Sequence, residues 1–359
     1  MSHTKEDLKE LQSKTLEEKI QISTARIIEW YEGWEGQVCV SFSGGKDSTV
    51  LLDLVRKIYP DVPAVFSDTG LEFPEIREFV KSFDNVVWVK PEINFSKVLE
   101  KYGYPIISKS VSDDVHGAKP GNRRWKSLHG INIIKKGMPS LFNSKKWEFL
   151  LKADFRISAS CCDVMKKKPL KKYYKETGKK PFVGILTEES LRRKTQWLQT
   201  GCNAFDLIEP ISTPIAFWSE QDILRYIQKY NIPCASVYGE LKEINNTLSF
   251  TKYQRTGCTF CAYGCHLEKE PNRFQQMAIT HPQLYDYCMR GGRYDESGMW
   301  IPDKGLGMAK VLDYINVKWW NDGDEEKRDE YRRVYHEKEE AEAQRKLTES
   351  ETNESTSIS

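Results

Sequence analysis

The sequence predicts an α/β fold, a doubly wound parallel sheet with a cysteine-bearing C-terminal extension. Three observations predict it. Between residues 38 and 90, short β-branched runs alternate with runs of helical period, and that alternation implies a parallel sheet covered by helices. The first run ends in the pair Gly44–Gly45, directly ahead of a helical pattern. Cysteines then gather in two places, Cys161–Cys162 and Cys258, Cys261 and Cys265, the latter group lying beyond the last strand pattern.

The elements follow in order. Thr15-Leu-Glu-Glu18 has the form of a capping box and opens a helix through "LEEKIQISTARIIEWYEGW". "VCVSF" (38–42) reads as a buried strand. Val50, Leu51, Leu54, Val55 and Ile58 have helical spacing, which predicts a helix over 47–58. A strand at 62–67, a helix at 73–83 and a strand at 86–90 complete the alternation. Residues 104–160 carry "KPGNRRWK" and scattered Gly and Pro, and read as an irregular insertion or lid. "PFVGIL" (181–186) resumes the sheet. "WSEQDILRYIQKY" is a helix with Ser219 and Asp222 as its cap pair. Beyond about Cys234 the strand pattern stops. From Asp324 a charge-dense helix runs into "TESETNESTSIS", whose composition suits disorder. This reading divides the chain at 1–35, 36–235, 236–323 and 324–359.

Composition sets bounds on function. At 359 residues and 39% apolar, the chain is large enough for a substantial core. A net charge of +2 gives no whole-protein field that would argue for nucleic acid. The opening "MSHTKEDLKE" is not a signal peptide, and no apolar run reaches membrane-span length, so no membrane partner is expected. Nine cysteines without an export signal point to the reducing cytoplasm, where grouped cysteines bind metal or react more often than they form disulfides.

The chemistry concentrates in "SFSGGKDS". A strand, a glycine turn and a helix start expose successive amides, which together make an anion site, and Lys46 adds a mobile positive charge. The ligand this favours is a phosphate chain. It is not a Walker A loop, because Val40 stands where that motif has glycine. "FSDTGLEFPEI" starts at the carboxyl end of a strand and places Asp68, Thr69 and Gly70 beside the loop. Asp68 reads as a magnesium or ribose ligand, or equally as an ordinary turn aspartate. The cysteine groups suit zinc or a four-iron four-sulfur cluster, and spacing does not choose between them. Cys39, Cys202 and Cys234 stand alone and read as core. "MKKKPLKKYYKETGKK" interleaves lysines with tyrosines, and with "NRRWK" and "SLRRK" it reads evenly as a nucleic-acid face or as solvated surface.

"SGGKDS" also resembles, at all six positions, the PP-loop of the ATP pyrophosphatase superfamily. The resemblance implies that Ser43, Gly44, Gly45, Lys46, Asp47 and Ser48 cradle ATP with magnesium, and that ATP is cut between its α and β phosphates, with Lys46 and Asp47 in catalytic roles. From about Val38 to Cys261 the chain resembles the phosphoadenosine phosphosulfate (PAPS) reductase family through "SFSGGKDS", "DTGLEFPE" and "PIAFWSEQDILRYI". In the adenylyl-sulfate-using branch, a Cys-Cys pair and a distant Cys-x-x-Cys bind a four-iron four-sulfur cluster. That implies Cys161, Cys162, Cys258 and Cys261 as ligands, and Lys166, Pro169 and Leu170 also fit the branch. Cys265 is extra, either a substitute ligand or a catalytic sulfur-handling thiol.

The resemblance has departures. Gly184, Ser190 and Arg193 match the segment that binds sulfate or phosphate, but Leu186 and Thr187 stand where the reductases have an arginine pair. The Glu-Cys-Gly-x-His segment with the reductases' nucleophilic cysteine is missing. The expected function is therefore an adenine-nucleotide-using enzyme that adenylates a substrate for sulfur transfer, with a sulfur donor protein and with nucleic acid among its acceptors. A sulfonucleotide reductase and a non-catalytic nucleotide-binding iron–sulfur module are the alternatives.

Overall fold

The computed structural model describes residues 3–336 apart from 134–137, 139 and 141–142. The strands are β1 (Val38–Ser41), β2 (Ala64–Ser67), β3 (Val86–Val89), β4 (Ile106–Ile107), β5 (Lys180–Val183), β6 (Asn203–Ala204), β7 (Ile211–Ser212), β8 (Leu241–Ile244), β9 (Thr247–Phe250), β10 (Ala262–Tyr263), β11 (Arg293–Tyr294) and β12 (Trp300–Ile301). The chain divides into two compact units, each made of two segments: residues up to 92 with 165–259, and residues 93–164 with those from 260 onward.

The first unit is the α/β domain. Its sheet runs β3-β2-β1-β5-β7-β6, with β1 at its centre, where Val40 pairs with Ala64 on one side and Phe182 on the other. The pairs are parallel, as expected, except β6–β7. A connection of a few residues joins β6 to β7, and a link that short closes only an antiparallel pair. Val38, Cys39 and Val40 are fully buried, as the near-continuous apolar run of a two-sided parallel strand requires. Helices Leu16–Gly33, Lys46–Ile58 and Glu220–Tyr230 pack together, and helix Lys168–Thr177 packs on β2 and β3.

Both predicted caps form. Thr15 Oγ1 accepts from the Glu18 amide at 3.3 Å, and Ser219 Oγ accepts from the Asp222 amide at 3.2 Å. Asp222 also holds the buried Lys19 ammonium at 2.7 Å, and Trp218 Nε1 donates to Ser23 Oγ at 2.9 Å. These two contacts lock helix Leu16–Gly33 to helix Glu220–Tyr230 and to the residue just ahead of its cap.

The strand pattern does not stop at Cys234. β8 and β9 form an antiparallel hairpin whose turn residues, Asn245 and Asn246, both have positive φ (52° and 63°). Two left-handed residues match the strand twist, and asparagine tolerates that conformation.

The second unit holds most of the region read as an irregular insertion, which is largely regular among its described residues. It contains β4 and the helices Lys109–Gly117 and Arg123–Leu128, capped by Ser108 and Asn122. β4 pairs in parallel with β10, and Tyr104 Oη donates to the Leu306 carbonyl at 2.8 Å in the buried interior. Residues 325–336 are helical, as predicted, and the tail read as disordered, 348–359, lies outside the described residues. No helix among the described residues is long and apolar enough to cross a membrane.

Candidate functional site

The phosphate-loop candidate lies at the carboxyl end of β1, where open α/β sheets bind their ligands. Gly44 has φ +70°, and a Cβ there would stand 2.7 Å from Val80 Cγ2 and 2.9 Å from Ile76 Cγ2. Only glycine meets both demands. Ser43 and Ser48 lie 3.0 Å apart through their hydroxyls, and Ser48 and Thr49 both donate to the Gly45 carbonyl, at 2.9 and 3.0 Å. Gly45 is the N-cap of helix Lys46–Ile58 and has no side chain with which to cap it. The helix therefore presents its first amides to other partners. The Lys46 amide donates to the Tyr238 hydroxyl at 3.1 Å.

Lys46 is buried, with its Nζ 3.1 Å from Glu220 Oε1, 3.2 Å from the Gln254 carbonyl and 3.8 Å from Asp47 Oδ1. Burial raises the Asp47 carboxyl above its ordinary pKa, and the Glu220 charge adds to this while Lys46, Arg255 and Arg193 oppose it. Asp47 Oδ1 is buried and makes no hydrogen bond. Arg193 pairs with Glu189, and Arg255 approaches the same carboxylate at 3.8 Å. Lys46, Asp47 and Arg193 were legible in the sequence. Glu189, Glu220, Tyr238, Gln254 and Arg255 were not, because nothing local marks a hydroxyl that reaches across the fold to a loop amide.

The turn after β2 is already self-satisfied. Arg77 grips Asp68 with two hydrogen bonds, Nε–Oδ1 at 3.0 Å and Nη2–Oδ2 at 2.9 Å. Thr69 is tied to Glu72 through its hydroxyl at 2.7 Å and its amide at 3.1 Å, and Gly70 takes φ +72°.

The cysteines fall into distinct environments. Cys161 and Cys162 Sγ lie 3.9 Å apart in the second unit. Burial holds the Tyr263 phenol well above its usual range, and Cys161, Cys162 and Cys261 around it add to that shift. A side-chain contact with Ser112 opposes that shift. Cys258, two residues before the boundary, belongs to the first unit. Among the described residues no three His, Cys, Asp or Glu side chains converge as a ready metal site. Cys265 is buried and its thiol donates to the Ala262 carbonyl at 3.1 Å. Burial pushes that thiol up to about 12, against the nearby charge of Arg273. Burial likewise raises Cys39 to about 12 and Cys202 and Cys234 to about 11; Cys39 and Cys202 are buried in the core and Cys234 packs half-buried against it.

Residues 37–263 match the phosphoadenosine phosphosulfate reductase domain. The chain belongs to the PAPS reductase family. That match takes in the glycine loop, the Asp68 turn, Arg193 and four of the five grouped cysteines, and leaves out Cys265. An uncharacterized protein of Methanocaldococcus jannaschii is 25% identical over 320 residues, which cover 82% of this chain and 61% of that protein, less than two thirds of its length. Adenosine 5'-phosphosulfate reductase 2 of Bacillus subtilis is 25% identical over 240 residues, covering 66% of this chain and 77% of the relative. The phosphate complex of the PAPS reductase from Candida auris aligns with 69% of this chain and 98% of its own at 17% identity, with a TM-score of 0.35.

Proposed function

We propose that this PAPS reductase-family chain is an adenine-nucleotide enzyme of sulfur metabolism that binds ATP at Ser43–Ser48 and cuts it to AMP and pyrophosphate, adenylating an acceptor. The carrying observation is the glycine-built loop, where uncapped helix amides and the buried Lys46 converge at the carboxyl end of β1. An acceptor oxygen attacks the α-phosphorus, the α–β bridge breaks, and the electron pair leaves with pyrophosphate. Loop amides and the Lys46 ammonium stabilise the charge that develops on that leaving group. Asp47 fits a magnesium ligand, because its buried Oδ1 lacks a hydrogen bond. Asp68 fits less well, since Arg77 occupies both its oxygens. Magnesium held there would neutralise phosphate charge.

The test follows the products of α-labelled ATP with magnesium and candidate acceptors. AMP and pyrophosphate are expected, and ADP with inorganic phosphate would contradict the assignment. Lys46→Ala should weaken ATP binding about 10- to 100-fold, the worth of one charge-assisted contact, with the thermal unfolding curve retained. Calorimetric titration checks it, and an unchanged affinity would remove Lys46 from the site. The exposed face formed by Lys168, Lys171, Lys172 and Lys175 favours a polyanion such as nucleic acid as acceptor. A reductase is the second reading, favoured by the relatives named adenosine 5'-phosphosulfate reductase. Thioredoxin-dependent sulfite release from adenylyl sulfate would establish it.

We further assign Cys161, Cys162 and Cys261, all in the second unit, as ligands of a four-iron four-sulfur cluster. The donor set fits in chemistry: soft thiols, with Cys161, Cys162 and Cys261 all acting on the Tyr263 phenol. A cluster there would supply a redox-active, sulfur-rich centre. Cys265, protonated against a carbonyl, is left as a structural thiol. Anaerobically prepared Cys261→Ser should lose iron and visible absorbance, and Cys265→Ser should keep both. Iron loss in Cys265→Ser would make that residue a ligand instead.

A further inference from the structure

The phosphate loop is contacted by a distant segment of the chain itself. Segment Gln254–Thr256, which follows the β8–β9 hairpin, lies against it through several contacts. The Gln254 carbonyl takes the Lys46 ammonium at 3.2 Å, and Arg255 approaches Glu189 at 3.8 Å. Thr256 Oγ1 hydrogen-bonds the Tyr238 hydroxyl at 2.7 Å, which in turn accepts the Lys46 amide at 3.1 Å. A Cβ built on Gly45 would find Tyr238 Oη at 3.4 Å and Thr256 Oγ1 at 3.5 Å. Two hydroxyls therefore stand at the face of the loop where its amides point. Tyr238 is buried and Thr256 half-buried, while Gln254 and Arg255 are exposed. The inner end of this strap is fixed and its outer part faces solvent.

We propose that Tyr238 and the strap Gln254–Thr256 act as an internal stand-in for a nucleotide's phosphates, so that nucleotide binding displaces the strap and these contacts set nucleotide affinity. The inference rests on the reading of Ser43–Ser48 as a phosphate site. Its physical basis is exchange of partners. A helix-terminal amide prefers a charged phosphate oxygen to a neutral hydroxyl, since hydrogen bonds to charged groups are the stronger ones. The Lys46 ammonium, which also faces the Glu220 carboxylate at 3.1 Å, likewise trades the Gln254 carbonyl for a phosphate oxygen. In the free chain, the hydroxyl spares the buried amide the cost of having no partner. Taking the hydroxyl away removes a competitor and leaves an amide that only the ligand can satisfy. Affinity should rise.

The experiment is calorimetric titration of full-length protein with α,β-methylene-ATP and magnesium, for wild type, Tyr238→Phe, Thr256→Val and Lys46→Ala. Tyr238→Phe should bind about threefold to tenfold more tightly, the worth of one hydrogen bond. Thr256→Val should move the same way and serves if the first variant does not fold. Hydrogen exchange across residues 251–257 should speed up when wild type takes the nucleotide. Unchanged or weaker affinity in both hydroxyl variants, or slower exchange of the strap, overturns the proposal while a weakened Lys46→Ala keeps the phosphate site. If Lys46→Ala binds as wild type does, the phosphate reading itself fails and the strap proposal falls with it.

Discussion

Asp222→Ala should cost about 3 to 5 kcal/mol of unfolding free energy, read as a lower urea midpoint at unchanged slope. Two losses coincide. Asp222 Oδ2 holds the Lys19 ammonium at 2.7 Å, with the two side chains only 9% and 4% exposed. Without the carboxylate, Lys19 becomes an unpaired charge in the interior, which is the expensive half of breaking a buried pair. The same oxygen accepts from the Ser219 amide and hydroxyl, each at 2.7 Å, so the cap of helix Glu220–Tyr230 fails too. The double replacement Lys19→Met with Asp222→Leu should recover a good part of the Lys19 loss, since neither charge is then stranded. A single-variant loss under about 1 kcal/mol would mean that Lys19 escapes to water and the pair is unimportant.

Gly44→Ala is expected to destabilise by about 2 to 5 kcal/mol and to abolish measurable nucleotide binding. Left-handed backbone costs alanine about 1 to 2 kcal/mol. The new methyl also meets Val80 and Ile76, which are buried at 0% and 2% exposure and have little room to retreat. Overpacking of that kind adds about 1 to 3 kcal/mol. Gly70→Ala separates the two causes. It shares the positive φ, but nothing lies within 4 Å of its added Cβ, so it should pay only the conformational part. Circular dichroism melts of the two variants decide the matter. Equal losses would rule out the steric contribution.

Much of the first unit was readable because its signals are local. β1, β2 and β3 lie inside the predicted runs, and the helix begins at Lys46, one residue before the predicted start. Both caps follow from a hydroxyl residue and an acid three positions on. The β8–β9 hairpin was legible too, in Asn245–Asn246 and the alternation of β9, but its strands hold only four residues each and β8 does not alternate, with Lys242, Glu243 and Ile244 all exposed. The helices of 104–160 are short and begin at polar caps without a sustained apolar stripe, so periodicity had little to detect. At the candidate site, the sequence announced the loop and not its surroundings. Tyr238 and Gln254 reach Lys46 from some two hundred residues downstream, and only the folded sheet brings them there.

The interleaving of the two units bears on how the chain is made. β1 pairs with β2 early, but its other neighbour is β5, where Val38 meets Lys180. On a ribosome adding about 5 to 20 residues each second, the central strand keeps one edge open for roughly seven to thirty seconds. During that interval the first segment of the second unit emerges, and its β4 must wait longer still, until Ala262 arrives opposite Ile106. Neither unit is complete in any nascent chain shorter than its second segment. Early synthesis therefore leaves an apolar strand edge and an unpartnered segment exposed together, a state that invites chaperone capture or mispairing with a neighbouring nascent chain.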